Sequence, residues 1–290
     1  MRFSISTAFQ PVDHLPALAR AADELGYHSM AVPDHVVDLE ELATPYPYTA
    51  DGGRRWDHDA AWPDPWVLIG SLAAVTTRLH FFTSVYVPAI RNPFQVAKSV
   101  GTAAVLSGNR VSLGVGIGWC REEFDLLGQD FTTRGKRTDE ALALMAELWQ
   151  PGWTEFHGEF YDAPRLIQEP SPTADIPIYV GGLSEVAFAR AARHQGWIGD
   201  LYTVEEAGRH ARRLAEIREQ IGAEGEFSVI TALTDAFLPE QFAAAQEQGV
   251  TDVWTMPWAY YSGVQATLAQ KLEGMERFAA DVLVPLEMSQ

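Results

Sequence analysis

At 290 residues, 47% of them hydrophobic and 21% charged, the chain has the makeup of a folded globular protein with ample material for a core. Its 39 acidic residues against 21 Lys and Arg give a net charge of −18. Such a surface repels nucleic-acid phosphates and anionic lipid headgroups and excludes both as partners. Cys120 is the single cysteine, which excludes an intrachain disulfide and a multi-cysteine metal site. With no signal-like apolar block and no run near the ~20 residues of a membrane span, the expectation is a cytoplasmic protein.

In chain order, residues 2–7 read as a strand and 13–26 as a helix. Leu15, Leu18, Ala19, Ala22 and Leu25 share one face of that helix, Asp13 is its expected N-cap, and Gly26 its stop. A second strand follows over 29–33. A helix over 65–75 leads into a strand over 79–86, and a helix over 93–106 into a strand over 110–117. A helix over 136–150 precedes strand 177–181, helix 184–194 and strand 197–201. Thr203 and Glu206 form a capping-box pattern at the next helix. Strand 226–232, helix 239–248 and strand 251–256 follow. The last helix is expected to place Val264, Leu268, Leu272, Met275, Phe278 and Val282 on one face.

Strands alternating with helices imply a parallel sheet with right-handed crossovers, and eight such units filling 1–290 favour one closed (β/α)8 barrel domain over an open sheet. Two insertions interrupt the alternation. Residues 36–63 follow the second strand, so they emerge at the C-terminal mouth, where barrel active sites sit; this segment is expected to be a lid or substrate wall. Residues 151–176 lie between the fourth helix and fifth strand. They are expected on the opposite side, as a hairpin turning at His157-Gly158, with structural roles for Trp153, His157 and Tyr161.

The ends of the strands hold the candidate chemistry. The second ends in Pro33-Asp34-His35, where a histidine either exchanges a proton near neutral pH, its tautomer tuned by a carboxylate, or is satisfied by local hydrogen bonds. The fourth ends in Gly114-Val115-Gly116-Ile117-Gly118-Trp119. Its glycines expose backbone to which a flat ring can come close, without the spacing of a dinucleotide fingerprint. Gly181-Gly182-Leu183-Ser184 precedes a helix and is either a phosphate site or a plain turn with Ser184 as N-cap. Asp57-His58-Asp59 reads as a solvated charge cluster, and no metal site is expected. Trp119 and Trp258 are the tryptophans expected to face a ligand.

Arg91-Asn92-Pro93, then Leu106-Ser107-Gly108-Asn109-Arg110, then the glycine run with Arg121-Glu122-Glu123-Phe124 and Gly128, resemble the bacterial luciferase-like superfamily. Arg134-Gly135, Asp139-Glu140, Leu148-Trp149 and the stretch 177–182 continue the resemblance, which looks closest to the branch that uses coenzyme F420, a deazaflavin. It implies a (de)azaisoalloxazine ring in the barrel mouth and a non-prolyl cis peptide at Ser84–Val85 against that ring. It also implies Asp34 and His35 at the ring edge or substrate, Gly181 and Gly182 at the cofactor phosphate, and a homodimer. The expected activity is hydride transfer between F420 and a small organic substrate, with His35 as proton donor or acceptor. An FMN-dependent monooxygenase and a non-catalytic flavin-binding barrel are the alternatives. Some deazaflavin dehydrogenases of the family carry a Glu at the end of the fourth strand, where this chain has Ile117, Gly118 and Trp119, which weighs against a sugar-phosphate or simple alcohol dehydrogenase.

Overall fold

A computed structural model describes residues 1–288. Eight parallel strands close into a barrel: β1 (Arg2–Ser6), β2 (Ser29–Val32), β3 (His80–Thr83), β4 (Val111–Val115), β7 (Ile178–Gly181), β8 (Gly196–Tyr202), β9 (Ser228–Leu233) and β10 (Asp252–Thr255), with β10 returning to pair with β1. The closing register sets Arg2 opposite Asp252 and Ile5 opposite Thr255. β5 (Thr154–His157) and β6 (Asp162–Leu166) form a separate antiparallel hairpin in the second insertion. The eightfold alternation thus yields the (β/α)8 barrel that its period implies, with Ala31, Phe82, Ile198 and Ile230 buried together inside it.

The helices form where the pattern places them, with locally determined ends. Asp64 accepts from the Trp66 and Val67 amides to start α2 (Pro65–Ala73). Asn92 caps α3 (Pro93–Ser107), which ends at left-handed Gly108. The Thr203–Glu206 box opens α7 (Val204–Gln220). Three expectations need correction. Asp13 caps nothing: a 3-10 turn over Val12–His14 precedes α1 (Leu15–Leu25), because Pro16 favours a helix start there. Val264 is 47% exposed in the turn before α10 (Leu268–Phe278), outside the buried face. A short helix, α4 (Arg121–Leu126), follows the glycine run, and α5 (Arg134–Leu148) starts two residues before the expected position.

Residues 36–63 contain no strand or helix among the described residues. They cross the mouth from β2 to β8, on the far side of the barrel, where Arg55 grips Asp200 through two contacts of 2.7 Å. Asp200 lies in a β8–β9 register shift between Ile198 and Leu201, an irregularity of the kind that re-aims a side chain at a barrel rim. No described helix is long and apolar enough to cross a membrane.

Candidate active site at the barrel mouth

The turn after β2 sends two neighbouring side chains to different partners. Asp34 is buried and bidentate to Arg91, at 2.7 Å for each oxygen, and accepts from the Val87 amide at 3.1 Å. Arg91 also lies over the Tyr86 ring, 4.2 Å from its centroid. Burial works against the Arg91 charge, but Asp34 holds the guanidinium more firmly protonated than an ordinary arginine. This pair locks the β2 turn to the segment after β3.

His35 turns instead toward α4. Its Nδ1 is 3.3 Å from Glu123 Oε2, while Glu123 Oε1 accepts from the Val36 amide at 2.6 Å and the Val37 amide at 3.4 Å. Burial alone would raise the Glu123 carboxyl. The His35 contact and the two amides outweigh it and hold Glu123 below its usual range. An ionised Glu123 keeps the proton of a neutral imidazole on Nδ1. Nε2 is then the basic nitrogen, and it has no hydrogen-bond partner among the described residues.

Aromatic rings enclose that imidazole. Trp62 meets His35 at 4.8 Å, Trp56 at 5.3 Å and Trp119 at 5.9 Å between ring centroids. Tyr46 touches both Trp56 and Trp119, and Phe9 from the loop after β1 touches Trp56 and Trp62. Edge-to-face packing of this kind stabilises the irregular lid without secondary structure. Backbone anchoring adds to it: Glu122 Oε1 accepts from Ala43 and Thr44 at 2.8 and 2.9 Å. Burial weighs slightly against the Glu122 charge, but its amide contacts hold the carboxyl down to about 2.

Beside this wall, the ends of β3, β4 and β7 make one surface. The Ser84–Val85 peptide is cis. The Val85 side chain occupies space that a Cβ would need at Gly116 (2.7 Å) and at Gly181 (2.9 Å), so glycine at both positions is what lets it lie there. Ile117 is half-buried, and the Gly118 carbonyl accepts from Arg134 at 3.1 Å. Gly182 has φ +128°, Leu183 is 43% exposed, and Ser184 caps α6 (Glu185–Ala191) through the Ala187 amide. A surface of exposed backbone and one branched side chain fits a flat ring, with the Gly181–Ser184 turn at its edge.

The structure therefore gathers Asp34, His35, Ser84, Val85, Gly116–Trp119 and Gly181–Ser184 at one end of the barrel. Trp258 departs from expectation: it is fully buried under Gly274 and Lys271 of α10, as core. His58 bonds Asp38 at 2.7 Å within the lid, next to Arg54. Glu123, Trp56, Trp62 and Tyr46 had no assigned role in the sequence. Their only signals were the Arg121–Phe124 motif and the aromatic density of the 36–63 segment.

A family model described as luciferase-like monooxygenase matches residues 1–277. An uncharacterized protein of Mycobacterium tuberculosis is 38% identical over 286 residues, covering 98% of this chain and 99% of that one. An F420-dependent glucose-6-phosphate dehydrogenase of Amycolatopsis mediterranei is 31% identical over 196 residues, covering 66% of this chain and 53% of that protein. Among solved structures, monooxygenase RslO1 from Streptomyces bottropensis superposes with a TM-score of 0.76 at 15% identity, over 98% of this chain and 99% of that one. With its closed barrel, its covered mouth and a family match over nearly its whole length, the chain belongs to the luciferase-like monooxygenase family.

Proposed function

We propose that the protein is a coenzyme F420-dependent oxidoreductase acting on a small organic substrate held between the ring-binding surface and the lid. The observation that carries this reading is His35: its Nδ1 is held by Glu123 and its Nε2 is free inside an aromatic enclosure, beside a surface shaped for a flat ring. The likeness to an F420-dependent relative supports the choice of cofactor. Ser84, Val85, Gly116, Ile117, Gly118 and Trp119 would hold the ring, and the turn Gly181, Gly182, Leu183 and Ser184 the phosphate-bearing tail. Bound there, a deazaflavin supplies a centre that accepts or donates a hydride.

The chain's own residues do the rest. In the oxidative direction a substrate hydroxyl loses its proton to His35 Nε2 as its carbon loses a hydride; in the reductive direction His35 returns the proton to the oxygen. Glu123 keeps the imidazole oriented and stabilises the imidazolium. Asp34, through Arg91, holds the turn that carries His35. The lid excludes water.

A second reading, FMN-dependent monooxygenase chemistry, is favoured by the full-length fold likeness to RslO1. Fluorescence titration of the purified protein with F420 and with FMN, side by side, separates the two. Micromolar or tighter binding of F420 and weaker binding of FMN is the expected result. Preference for FMN would replace the deazaflavin reading with the monooxygenase one, and binding of neither would remove both.

A further inference from the structure

We infer that the substrate is a neutral, flat, ring-bearing molecule with a single ketone or alcohol oxygen, and that Trp62 selects it together with His35. The inference deepens the reading above and rests on it only for the identity of the cofactor.

The charges around His35 are already matched. Arg54 is bound to Asp38 at 2.6 Å and to the Leu39 carbonyl at 2.7 Å, Arg55 to Asp200, and Arg91 to Asp34. Within this group no guanidinium is left to meet a phosphate or carboxylate, and Glu123 beside His35 repels an anion. Nor does the enclosure offer a free carboxylate to a cation: Asp34, Asp38 and Asp200 carry arginines, and Glu122 and Glu123 are filled by lid amides. A neutral group is what this electrostatic pattern admits.

The walls give the shape. Tyr46, Trp56, Trp62 and Trp119 present ring faces and edges around the imidazole. A polyol entering such walls would leave most of its hydroxyls without partners, whereas a planar ring buries its faces against the indoles at no such cost.

One polar group is left over. The Trp62 indole N–H is shielded from solvent and has no hydrogen-bond partner, and its ring is 4.8 Å from that of His35. A shielded donor without a partner is costly, and an oxygen placed between Trp62 and His35 Nε2 satisfies both. One oxygen on an otherwise apolar ring therefore matches the site group for group, and the pocket discriminates against analogues lacking that oxygen.

The test is calorimetric titration with three probes: 1-tetralone, its oxygen-free analogue tetralin, and glucose 6-phosphate. Each is added to the protein alone and again with saturating F420. The expected order is tetralone tightest, tetralin weaker by about tenfold, which is one hydrogen bond's worth of affinity, and glucose 6-phosphate weakest. Trp62→Phe should bring tetralone down to the level of tetralin and leave tetralin unchanged, so that tetralin reports on the integrity of the pocket. Glucose 6-phosphate binding as tightly as tetralone would overturn the inference. So would a Trp62→Phe variant that keeps the tetralone–tetralin gap, or one that loses both ligands equally. If neither flavin binds, the cofactor assignment fails, while the probe series with protein alone still decides this question.

Discussion

The two ends of the barrel each carry a histidine among polar neighbours and aromatic rings, yet they are built differently. At the floor, His28 and His80 stack at 5.0 Å beneath a cavity of about 290 Å³. Arg2 binds Asp252 and Ser228 there, His28 Nδ1 lies 2.5 Å from Ser29 Oγ, and Asn109 donates to Thr173. At the mouth, His35 Nε2 and the Trp62 N–H are unspent. The larger opening is thus at the end whose polar groups satisfy one another. Unspent donors and acceptors inside an enclosure, rather than volume, mark the end equipped for chemistry. The floor follows the general division of labour in this fold, where the N-terminal face serves stability.

The sharpest way to break this contrast is at Asp34, which lies at the mouth but is bonded like a floor residue. Asp34→Ala leaves Arg91 buried without its counter-charge and should cost about 3–5 kcal/mol in urea unfolding. A loss below 1 kcal/mol would show that the pair does not anchor the β2 turn. His35→Asn should instead leave stability nearly untouched and lower turnover by about 100-fold or more, with cofactor affinity within a factor of about two. Equal turnover in wild type and variant would take His35 out of the reaction.

A floor histidine should respond in the opposite way. Burial, with Arg2 and His80 adding to it, pushes His28 down to about 4. Its contribution to stability is therefore complete above the unfolded value near 6.5, and it is lost as pH falls from there toward 4, because the unfolded chain takes up the proton first. Thermal melts of His28→Phe between pH 7 and 4 should be flatter than wild type by ~2 kcal/mol over that interval, with turnover at pH 7 unchanged. An unchanged pH slope would assign the acid sensitivity elsewhere.

The smallest effect concerns the lid. Arg55→Ala removes a partly exposed ion pair, for which about 0.5–1 kcal/mol is typical, so KM should rise a few-fold while kcat holds. Cleavage of the 36–63 segment by a protease should quicken in parallel. A KM that does not move would mean that the rings, rather than the Arg55–Asp200 latch, keep the lid seated.

Much of this was legible in the chain. The strand–helix period, the Thr203–Glu206 box and the Gly26 and Gly108 stops are local signals, and all are present in the folded protein. Because a parallel strand always delivers its end to the same face, Asp34, His35, Gly116–Trp119 and Gly181–Ser184 could be assigned to one mouth before any coordinates. Asp13 misled because an acidic residue before an apolar run also suits a 3-10 turn. Trp258 misled because a position after β10 does not say whether a side chain turns inward under α10 or out over the mouth.

What the sequence alone determined was the barrel, the place of its mouth and the residues delivered to it, since these follow from periodicity and strand direction. Only the tertiary structure decided who pairs with whom: Asp34 with Arg91 across 57 residues, His35 with Glu123 across 88, and Arg55 with Asp200 across 145. These choices separate an anchoring carboxylate from an orienting one and close the lid over the rings. They depend on which side chains meet after the sheet has closed, and no local pattern records that meeting.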